Sequence, residues 1–302
     1  MSKKIFLYSA VFLLSLNFFC WKEVFNLTEN NYLKVDFLDV GQGDSVFIET
    51  PEKHQILIDG GPDSTVLQKL QNLMPFFDRS IDLVILTHPE SDHMRGLMDV
   101  LQRYKVDYVL WTGISRSTPE FKKWVSILEK KQKPETSFLA SINFDQRATK
   151  VMTVNAGVKI KAGNAKIDIL FPFENLSGKE FKKTSNDTGV VSRLIFGKDS
   201  FLFTGDISSA AEKKLANSYE LANLKSDVLK VAHHGSKYST SDIFLENVKP
   251  KIAVISVGAK NTYGHPTPEV LQRLDKFGIK VLRTDKDGDV KIISDGNNIS
   301  IK

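Results

Sequence analysis

Thr87-His88-Pro89-Glu90-Ser91-Asp92-His93 is the stretch that decides how this sequence folds and what it binds. It follows the apolar run Leu83–Leu86, which predicts a buried strand. Imidazoles and carboxylates are therefore crowded into one short turn at a strand end. Such groups are costly to bring together without a partner, and a divalent metal ion is the obvious reason for the cluster. The stretch predicts a metal site at a sheet edge.

Working outward, other residues of the ligand type stand at the same kind of position. They are Asp59, which ends the predicted strand Ile56–Ile58 and precedes Gly60-Gly61, Asp206 after Phe201–Phe203, and His233-His234 after Val228–Val231. Residues placed just past several strand ends converge on one edge of a sheet-based domain. We therefore expect these side chains to share the predicted metal site.

Short β-rich runs separated by turn residues continue from Tyr32 to the end of the chain. Predicted strands are Val35–Leu38, Ser45–Glu49, Gln55–Ile58, Leu83–Leu86, Val106–Trp111, Ile167–Phe171, Val190–Phe196, Phe201–Phe203, Val228–Val231, Ile252–Val257, Lys280–Leu282 and Val290–Ile293. Predicted helices are Thr65–Leu73, Leu97–Tyr104, Glu120–Lys131, Ser209–Asn217 and Glu269–Lys276. Residues 132–165 are predicted as a loop with a hairpin. This order predicts an α+β fold, an αββα sandwich of two mixed β-sheets with outer helices.

Composition excludes several classes of protein. The chain has 302 residues, of which 41% are hydrophobic and 25% charged, as is ordinary for a globular protein with a buried core. Its net charge is 41 − 36 = +5, too nearly balanced to indicate nucleic-acid binding by charge alone. The single cysteine, Cys20, excludes an intramolecular disulfide scaffold and a multi-cysteine zinc site.

The N-terminus is a separate segment. An uncharged apolar run, IFLYSAVFLLSLNFFCW, follows Lys3-Lys4 and precedes Lys22-Glu23, at the lower length limit for a membrane span. The two lysines favour a cytoplasmic N-terminus. We expect residues 1–26 to be an uncleaved anchor and residues 27–302 to be one extracytoplasmic domain. One alternative, a cleaved signal peptide and a secreted body, has a poor cleavage site at Asn17-Phe18-Phe19-Cys20. A buried core helix is the other alternative.

The H-x-E-x-D-H pattern of residues 88–93, with T-G-D and H-H-G-S downstream, resembles the metallo-β-lactamase superfamily. Within it, the sequence is similar to the C-terminal hydrolase domain of ComEC-type DNA-uptake (competence) proteins. The stretches that carry this resemblance are residues 37–45, 57–61, 202–206, 233–236 and 263–266. The similarity covers roughly residues 33 to 302.

The resemblance implies a site with two divalent metal ions, Mn²⁺ or Zn²⁺, with Mg²⁺ as a third candidate. The implied ligands are His88, Glu90, Asp92, His93, Asp206 and one of His233 and His234, of which we favour His234. In the superfamily pattern Asp206 bridges the ions, and Asp92 also orients the attacking water as its general base. Glu90 replaces a histidine of much of the superfamily, which favours harder ions because carboxylate oxygen is a hard donor.

The resemblance also implies residues that contact the substrate or support the ligands. Asp44 and His265 are expected near the reacting groups, with His265 contacting a leaving group or phosphate. Asp59 is expected to brace the ligand loop. The further candidates for substrate contact are Asn186, Asp187, Ser236 and Tyr263.

The expected reaction is therefore hydrolysis of a phosphodiester, with DNA as the first candidate substrate and a membrane channel as a candidate partner. The superfamily's middle histidine has no counterpart, since the sequence has no histidine between His93 and Asp206. This departure favours an alternative, a DNA-uptake accessory protein that binds DNA without turnover. A hydrolase of amides, lactones or thioesters is the third reading.

Overall fold

The computed structural model describes residues 3–28, 32–132, 148–182, 185–218 and 224–302. The chain divides into two compact units, Met1–Tyr32 and Leu33–Lys302. The first contains helix α1, Lys3–Thr28, so the boundary that we predict after residue 26 falls within a helix. Within it, Lys3–Lys22 is long and apolar enough to cross a membrane, with a mean hydropathy of 1.6.

The second unit is built from two sheets with helices outside them. Its strands are β1 Leu33–Phe37, β2 Val46–Glu49, β3 Gln55–Ile58, β4 Ser80–Ile85, β5 Lys105–Trp111, β6 Lys150–Thr153, β7 Lys159–Ala162, β8 Ala165–Phe171, β9 Val191–Phe196, β10 Asp199–Phe203, β11 Val228–Lys230, β12 Ile252–Ile255, β13 Lys280–Arg283, β14 Val290–Ser294 and β15 Ile299–Ile301. Its helices are α2 Thr65–Leu73, α3 Ser91–Arg103, α4 Pro119–Lys131, α5 Ser209–Ala216, α6 Asp242–Val248, α7 Pro268–Lys276 and α8 Thr284–Asp287.

One sheet has the strand order β15-β14-β1-β2-β3-β4-β5-β6, and the other has β13-β12-β11-β10-β9-β8-β7. Strands β3 to β6 run parallel in the first sheet, as β10 to β13 do in the second. Strand β1 pairs antiparallel with both β2 and β14, which joins the start of the unit to its end. Both sheets are mixed, as the sequence predicts.

Three apolar clusters hold the four layers together. Alternate strand residues such as Phe37 and Phe203 meet between the sheets, with ring centroids 6.1 Å apart. A second cluster joins the outer face of the first sheet to α2, α3 and α4, where Leu97 and Trp124 are fully buried. A third joins the second sheet to α5, α6 and α7. Each buried side chain of this size contributes about 1.5–3 kcal/mol, so the layers are fixed mainly by apolar burial. The αββα sandwich is confirmed.

Local sequence fixes several helix starts. The Thr118 side chain accepts a hydrogen bond from the Phe121 N–H, and Pro119 occupies the first turn of α4.

The predicted start of α3 at Leu97 is wrong, because the helix begins at Ser91. Its first turn carries polar site residues instead of an apolar stripe, so hydrophobic periodicity begins only later in the helix. Asp92 and His93 therefore project from a helix and not from a loop.

Other differences lie in short or polar elements. Of the hairpin that β7 forms with β8, only β7 lies entirely within residues 132–165, because β8 extends from Ala165 to Phe171 and includes the separately predicted strand Ile167–Phe171. The parallel strand β6 is not predicted by the polar pattern. Residues 133–147 of that prediction lie outside the described residues. Helices α6 and α8 and strand β15 are also absent from the prediction. They are short, at seven, four and three residues, so they carry little periodicity.

Candidate metal centre

The candidate site lies where parallel strands of both sheets end. Strand β4 leads into Thr87 and His88, and the first turn of α3 adds Asp92 and His93. His88 and His93 are fully buried, with ring centroids 4.2 Å apart. The Asp92 side chain keeps 31% of its surface exposed, so it faces both the histidines and solvent.

The second sheet supplies the opposite half of the site. Asp206 follows β10, and its Oδ1 lies 3.4 Å from His93 Nε2. His234 follows β11, and its Nε2 lies 3.3 Å from Asp206 Oδ2 and 3.3 Å from Asp92 Oδ2. One donor atom from each of Asp92, His93, Asp206 and His234 lies within 4.8 Å of all the others. Two distant parts of the chain are thus joined into one donor set.

This donor set fits divalent metal ions. Three buried polar atoms of the site, His88 Nε2, His93 Nε2 and Asp206 Oδ1, have no hydrogen-bond partner within the described part of the chain. Leaving a buried polar atom unsatisfied costs about 1–3 kcal/mol, and a bound cation would remove that cost. Imidazole nitrogen with carboxylate oxygen is a donor combination that suits Zn²⁺ and Mn²⁺.

Protonation in the metal-free site supports the same conclusion. Burial favours neutral rings, but Asp206 and neighbouring carboxylates outweigh it and raise the pKa of His93 and of His234 well above the usual range. Burial and the His93 charge lower the pKa of His88 to about 3, so His88 is neutral and its nitrogen is available. The protons on His93 and His234 supply the positive charge that a metal ion would otherwise supply beside the carboxylates, and binding an ion would release these protons.

Asp59 holds the ligand loop from behind. Its Oδ1 accepts the Thr87 N–H at 2.8 Å, and its Oδ2 accepts the Thr87 hydroxyl at 2.7 Å. Oδ2 also lies 2.8 Å from His93 Nδ1. This contact orients the His93 ring so that Nε2 faces the donor set, where an ion would displace its proton.

Lys230 is a site residue that the sequence analysis misses. Its side chain is 2% exposed, and its ammonium contacts Asp44 Oδ2, donates to the Gly205 carbonyl at 3.2 Å and lies 3.8 Å from Asp206 Oδ1. Burial opposes ionisation of Asp44, yet Lys230, His234 and His93 outweigh it and lower the Asp44 pKa. A lysine at the end of the apolar strand Val228–Lys230 is the signal that could have revealed it, since buried lysines are rare unless paired.

Asp44, Asp59 and His93 form a second group with the spacing of metal ligands. Here the positive partners are already present in the protein, because Lys230 contacts Asp44 and donors from Thr87 and His93 surround Asp59. Asp44 therefore lies directly behind the donor set and is held by a lysine.

Glu90 is placed at the side of the donor set. Its Oε1 contacts the Arg116 guanidinium and accepts hydrogen bonds from Ser185 N–H at 3.2 Å and Ser185 Oγ at 2.9 Å. Arg116 also donates to Ser185 Oγ at 2.8 Å. The role of Glu90 as a ligand stays a prediction, and the structure adds Arg116 and Ser185 as its partners.

The two adjacent histidines face different surroundings. Both have left-handed backbone conformations, with φ 51° at His233 and 53° at His234, which cost on the order of 1–3 kcal/mol each for non-glycine residues. His234 Nδ1 lies 2.9 Å from the Ser256 carbonyl, and this contact turns Nε2 toward the donor set. The His233 side chain is 33% exposed, with Nε2 3.5 Å from Asn186 Nδ2. His234 is therefore the histidine that joins the donor set.

A cavity of about 410 Å³ opens onto the donor set. Besides Asp92, Asp206 and His234, its lining includes Gln42, Glu90, Asn186, His233, Tyr263 and His265.

Two residues that are predicted to contact the substrate, Asp187 and Ser236, make hydrogen bonds within the protein instead of lining this cavity. Asp187 accepts hydrogen bonds from the Ser208 N–H and hydroxyl, and Ser236 is buried, with its hydroxyl 3.4 Å from the Tyr238 nitrogen. Their roles in substrate contact stay predictions.

The fold and the donor set define a class of protein. The chain belongs to the metallo-β-lactamase superfamily, whose profile matches residues 38–259. The solved metallo-β-lactamase fold protein YhfI from Bacillus subtilis superposes with a TM-score of 0.53 at 13% identity, over 87% of this chain and 99% of that one. Igni18, a metallo hydrolase from Ignicoccus hospitalis, gives 0.51 at 15% identity, over 86% and 98%. At these identities the likeness concerns the fold alone.

Competence proteins are the more specific relatives. ComE operon protein 3 of Bacillus subtilis is 30% identical over 275 residues, which are 85% of this chain and 32% of that protein. Competence protein ComA of Neisseria gonorrhoeae is 31% identical over 264 residues, again 85% and 32%. The resemblance to ComEC-type proteins is confirmed. The chain spans about a third of the length of these curated relatives.

Proposed function

We propose that this chain is a metal-dependent phosphodiesterase that cleaves DNA. The observation that carries the proposal is the donor set Asp92, His93, Asp206 and His234 at the floor of the 410 Å³ cavity. Carboxylate donors suit the ions that serve phosphoryl transfer. The choice of DNA is supported by relatives that are named for competence and, in Haemophilus influenzae, for recombination.

In the proposed site, His88, Asp92, His93, Asp206 and His234 would hold the divalent ions. Ions in such a site lower the pKa of bound water and stabilise charge on a phosphoryl oxygen. Asp92 combines a position in the donor set with partial exposure to the cavity, so its carboxylate orients the attacking water and accepts its proton. Although burial opposes it, the charge of His93 holds the pKa of Asp92 low, which keeps the carboxylate ionised.

The cavity residues serve the substrate in this proposal. His233 and Asn186 contact phosphate oxygens, and His265 contacts the leaving group. Burial, then the charge of His233, lowers the pKa of His265. Among the residues that the structure describes, His265 Nδ1 has no hydrogen-bond partner, and the residue lines the cavity.

A second candidate is DNA binding without turnover. Two observations favour it. Glu90 Oε1 contacts Arg116 and Ser185, and the superfamily's middle histidine has no counterpart between His93 and Asp206. Together they would leave one of the two proposed ions with fewer protein donors. Hydrolysis of an amide, lactone or thioester is the remaining candidate, since the superfamily fold alone does not select the substrate.

We also propose that α1 anchors the chain in a membrane, with residues 33–302 outside the cytoplasm and a membrane channel as partner. Support comes from the apolar segment Lys3–Lys22 and from Lys3 and Lys4 at its short end. A secreted body after cleavage is the alternative. Mass spectrometry of the N-terminus of the mature protein distinguishes the two, since an anchor retains residues 3–22.

The decisive test uses the full chain in detergent with labelled single-stranded DNA and with bis(p-nitrophenyl) phosphate. Cleavage is measured after chelation and after adding Mn²⁺, Zn²⁺ or Mg²⁺, for the native chain and for Asp206→Asn. Asp107→Asn, at a half-buried carboxylate near the start of β5 that does not line the cavity, is the matched control. We expect metal-dependent cleavage that disappears only in Asp206→Asn. Metal binding without cleavage of either substrate would exclude the phosphodiesterase and favour another ester or amide. DNA binding without cleavage in any ion would favour the accessory protein.

A further inference from the structure

Four aromatic rings lead from the donor set to the protein surface. The rings of His234 and His233 are 6.2 Å apart and cross at 71°, and those of His233 and His265 are 5.7 Å apart at 76°. The last pair differs, since Tyr263 and His265 are 5.8 Å apart at only 23°, a stacked arrangement. The series therefore ends in a ring that stacks instead of crossing its neighbour.

Tyr263 is exposed although it is an aromatic residue at the mouth of a cavity. Its exposed fraction is 70%, while its ring lies against His265. A large part of the tyrosine surface thus remains in contact with water beside the donor set. Exposure of a planar aromatic group at a site of this kind is typical of a stacking surface.

The loop that carries Tyr263 is held in place before any ligand binds. Asn261 Nδ2 donates to the carbonyls of Gly258 and His265 at 2.9 and 2.8 Å, and Asn261 Oδ1 accepts the His265 N–H at 3.0 Å. Gly264 has φ 71°, a conformation that glycine adopts without strain and that lets the chain turn back. A fixed ring loses little entropy when a ligand stacks on it.

We propose that Tyr263 is a stacking site for an unpaired nucleobase next to the scissile phosphate. This inference rests on the proposed function and adds the part of the substrate that the metal ions do not contact. Base–aromatic stacking contributes about 1–3 kcal/mol per base and tolerates any base, because every base has a flat face. Bases in a duplex already stack on their neighbours, so Tyr263 favours single strands and frayed ends.

The test combines a change in the protein with a change in the substrate. Cleavage rates kcat/KM are measured for single-stranded oligonucleotides in which one abasic residue is moved along the strand, with the native chain and with Tyr263→Ala. We expect one position where the abasic residue lowers the native rate about 5- to 150-fold, the range that corresponds to the stacking energy. At that position the abasic residue lowers the rate of Tyr263→Ala less than twofold.

Two further variants make the result specific. Tyr263→Phe keeps a flat ring and is expected to retain the abasic effect. Tyr238→Ala removes a tyrosine that is 66% exposed but does not line the cavity, and is expected to leave the abasic effect at its native size. An abasic effect of equal size in the native chain and in Tyr263→Ala would overturn the stacking site.

Equilibrium binding separates this inference from the proposed function. Fluorescence anisotropy of the same oligonucleotides is measured in the presence of chelator, where cleavage cannot occur. If the native chain cleaves no DNA but the abasic penalty on binding depends on Tyr263, the stacking site stands and the nuclease assignment fails. If DNA is cleaved and neither rate nor binding shows that dependence, the nuclease assignment stands and the stacking site fails.

Discussion

The candidate centre has two sides that differ in their contact with water. The closed side, which consists of Asp44, Asp59, His93 and Lys230, has side chains at most 4% exposed. The open side, which consists of Asn186, His233, Tyr263 and His265, lines the cavity, with Tyr263 mainly in solvent. On the closed side each carboxylate has a buried partner, since Lys230 contacts Asp44 and His93 Nδ1 lies 2.8 Å from Asp59 Oδ2. In the function that we propose, the closed side would fix the ion ligands and the open side would receive the substrate.

The largest expected effect is the difference between two adjacent histidines, His234 in the donor set and His233 on the open side. His234→Ala removes a buried donor, and we expect loss of bound ion and a fall in activity of about 10³-fold, equivalent to about 4 kcal/mol of transition-state stabilisation. His233→Ala changes a partly exposed contact, and we expect retained ions and a fall of about tenfold. Elemental analysis and rate measurements check both. Equal loss of ions in the two variants would contradict the division into sides.

The next effect concerns the lysine of the closed side. Lys230→Met keeps the length of the side chain but removes the cation beside Asp44, and breaking a buried ion pair costs about 3–5 kcal/mol. We expect the free energy of unfolding of the metal-free protein to fall by that amount in chemical denaturation.

Lys251→Met is the matched control for this change. Lys251 also pairs with an aspartate, Asp227 at 2.9 Å, but is 80% exposed, and we expect a change below about 0.5 kcal/mol. The double variant Asp44→Asn/Lys230→Met is expected to lose less than the sum of the single changes, because both lack the same contact. Additive losses would show that Lys230 acts without Asp44.

A third effect concerns a buried carboxylate, Asp36, whose ionised form lowers the stability of the fold because its positively charged partner is only weakly placed to balance it. Asp36 lies on β1, and its Oδ1 is 3.4 Å from the partly exposed Lys291. Burial raises the Asp36 pKa from its usual value near 4 to about 6. The folded protein therefore holds the Asp36 proton more tightly than the unfolded chain does. The stability that this proton contributes is present at low pH and is lost as the pH rises through 6.

Asp36→Asn is therefore expected to stabilise the protein at pH 8 by about 3 kcal/mol, the equivalent of about two pKa units, and to have little effect near pH 4. Denaturation curves across that pH range check it. Asp107→Asn, at a half-buried carboxylate on β5, is the control variant. A stabilisation that is the same at pH 4 and at pH 8 would be inconsistent with the raised pKa.

The smallest effect tests whether Glu90 belongs to the ions or to the surrounding protein. Glu90→Gln weakens charged hydrogen bonds to Arg116 and Ser185, for which we expect a loss of about 1.5–3 kcal/mol in stability with the ions retained. Glu120→Gln breaks an exposed pair with Arg95 at 2.9 Å and serves as the matched control. Loss of bound ion in Glu90→Gln alone would assign the carboxylate to the metal site.

The sequence is most informative where chemistry and position coincide. Asp206 and the His233-His234 pair each follow an apolar strand, and the structure brings Asp206 and His234 together, while their roles as ligands stay predictions. The αββα fold followed from the order of elements. Both inferences use features that lie within a few neighbouring residues.

The remaining features depend on contacts between distant segments. Lys230 looks like the end of a strand until Asp44, far away in the chain, is placed beside it. Glu90 meets Arg116 and Ser185 only after folding. The left-handed backbone at His233 and His234, which decides the direction of each ring, leaves no trace in composition. Pairwise geometry of this kind is outside the reach of periodicity and propensity.

The pairing of β1 with β14 has a consequence for how the chain is made. Strand β1 is the first strand to be synthesised in its sheet, and its partner β14 is among the last. Until β14 arrives, one edge of β1 presents unpaired N–H and C=O groups that can join another chain. A nascent or C-terminally shortened body is thus the form most prone to aggregate, and only completion of the chain protects this edge.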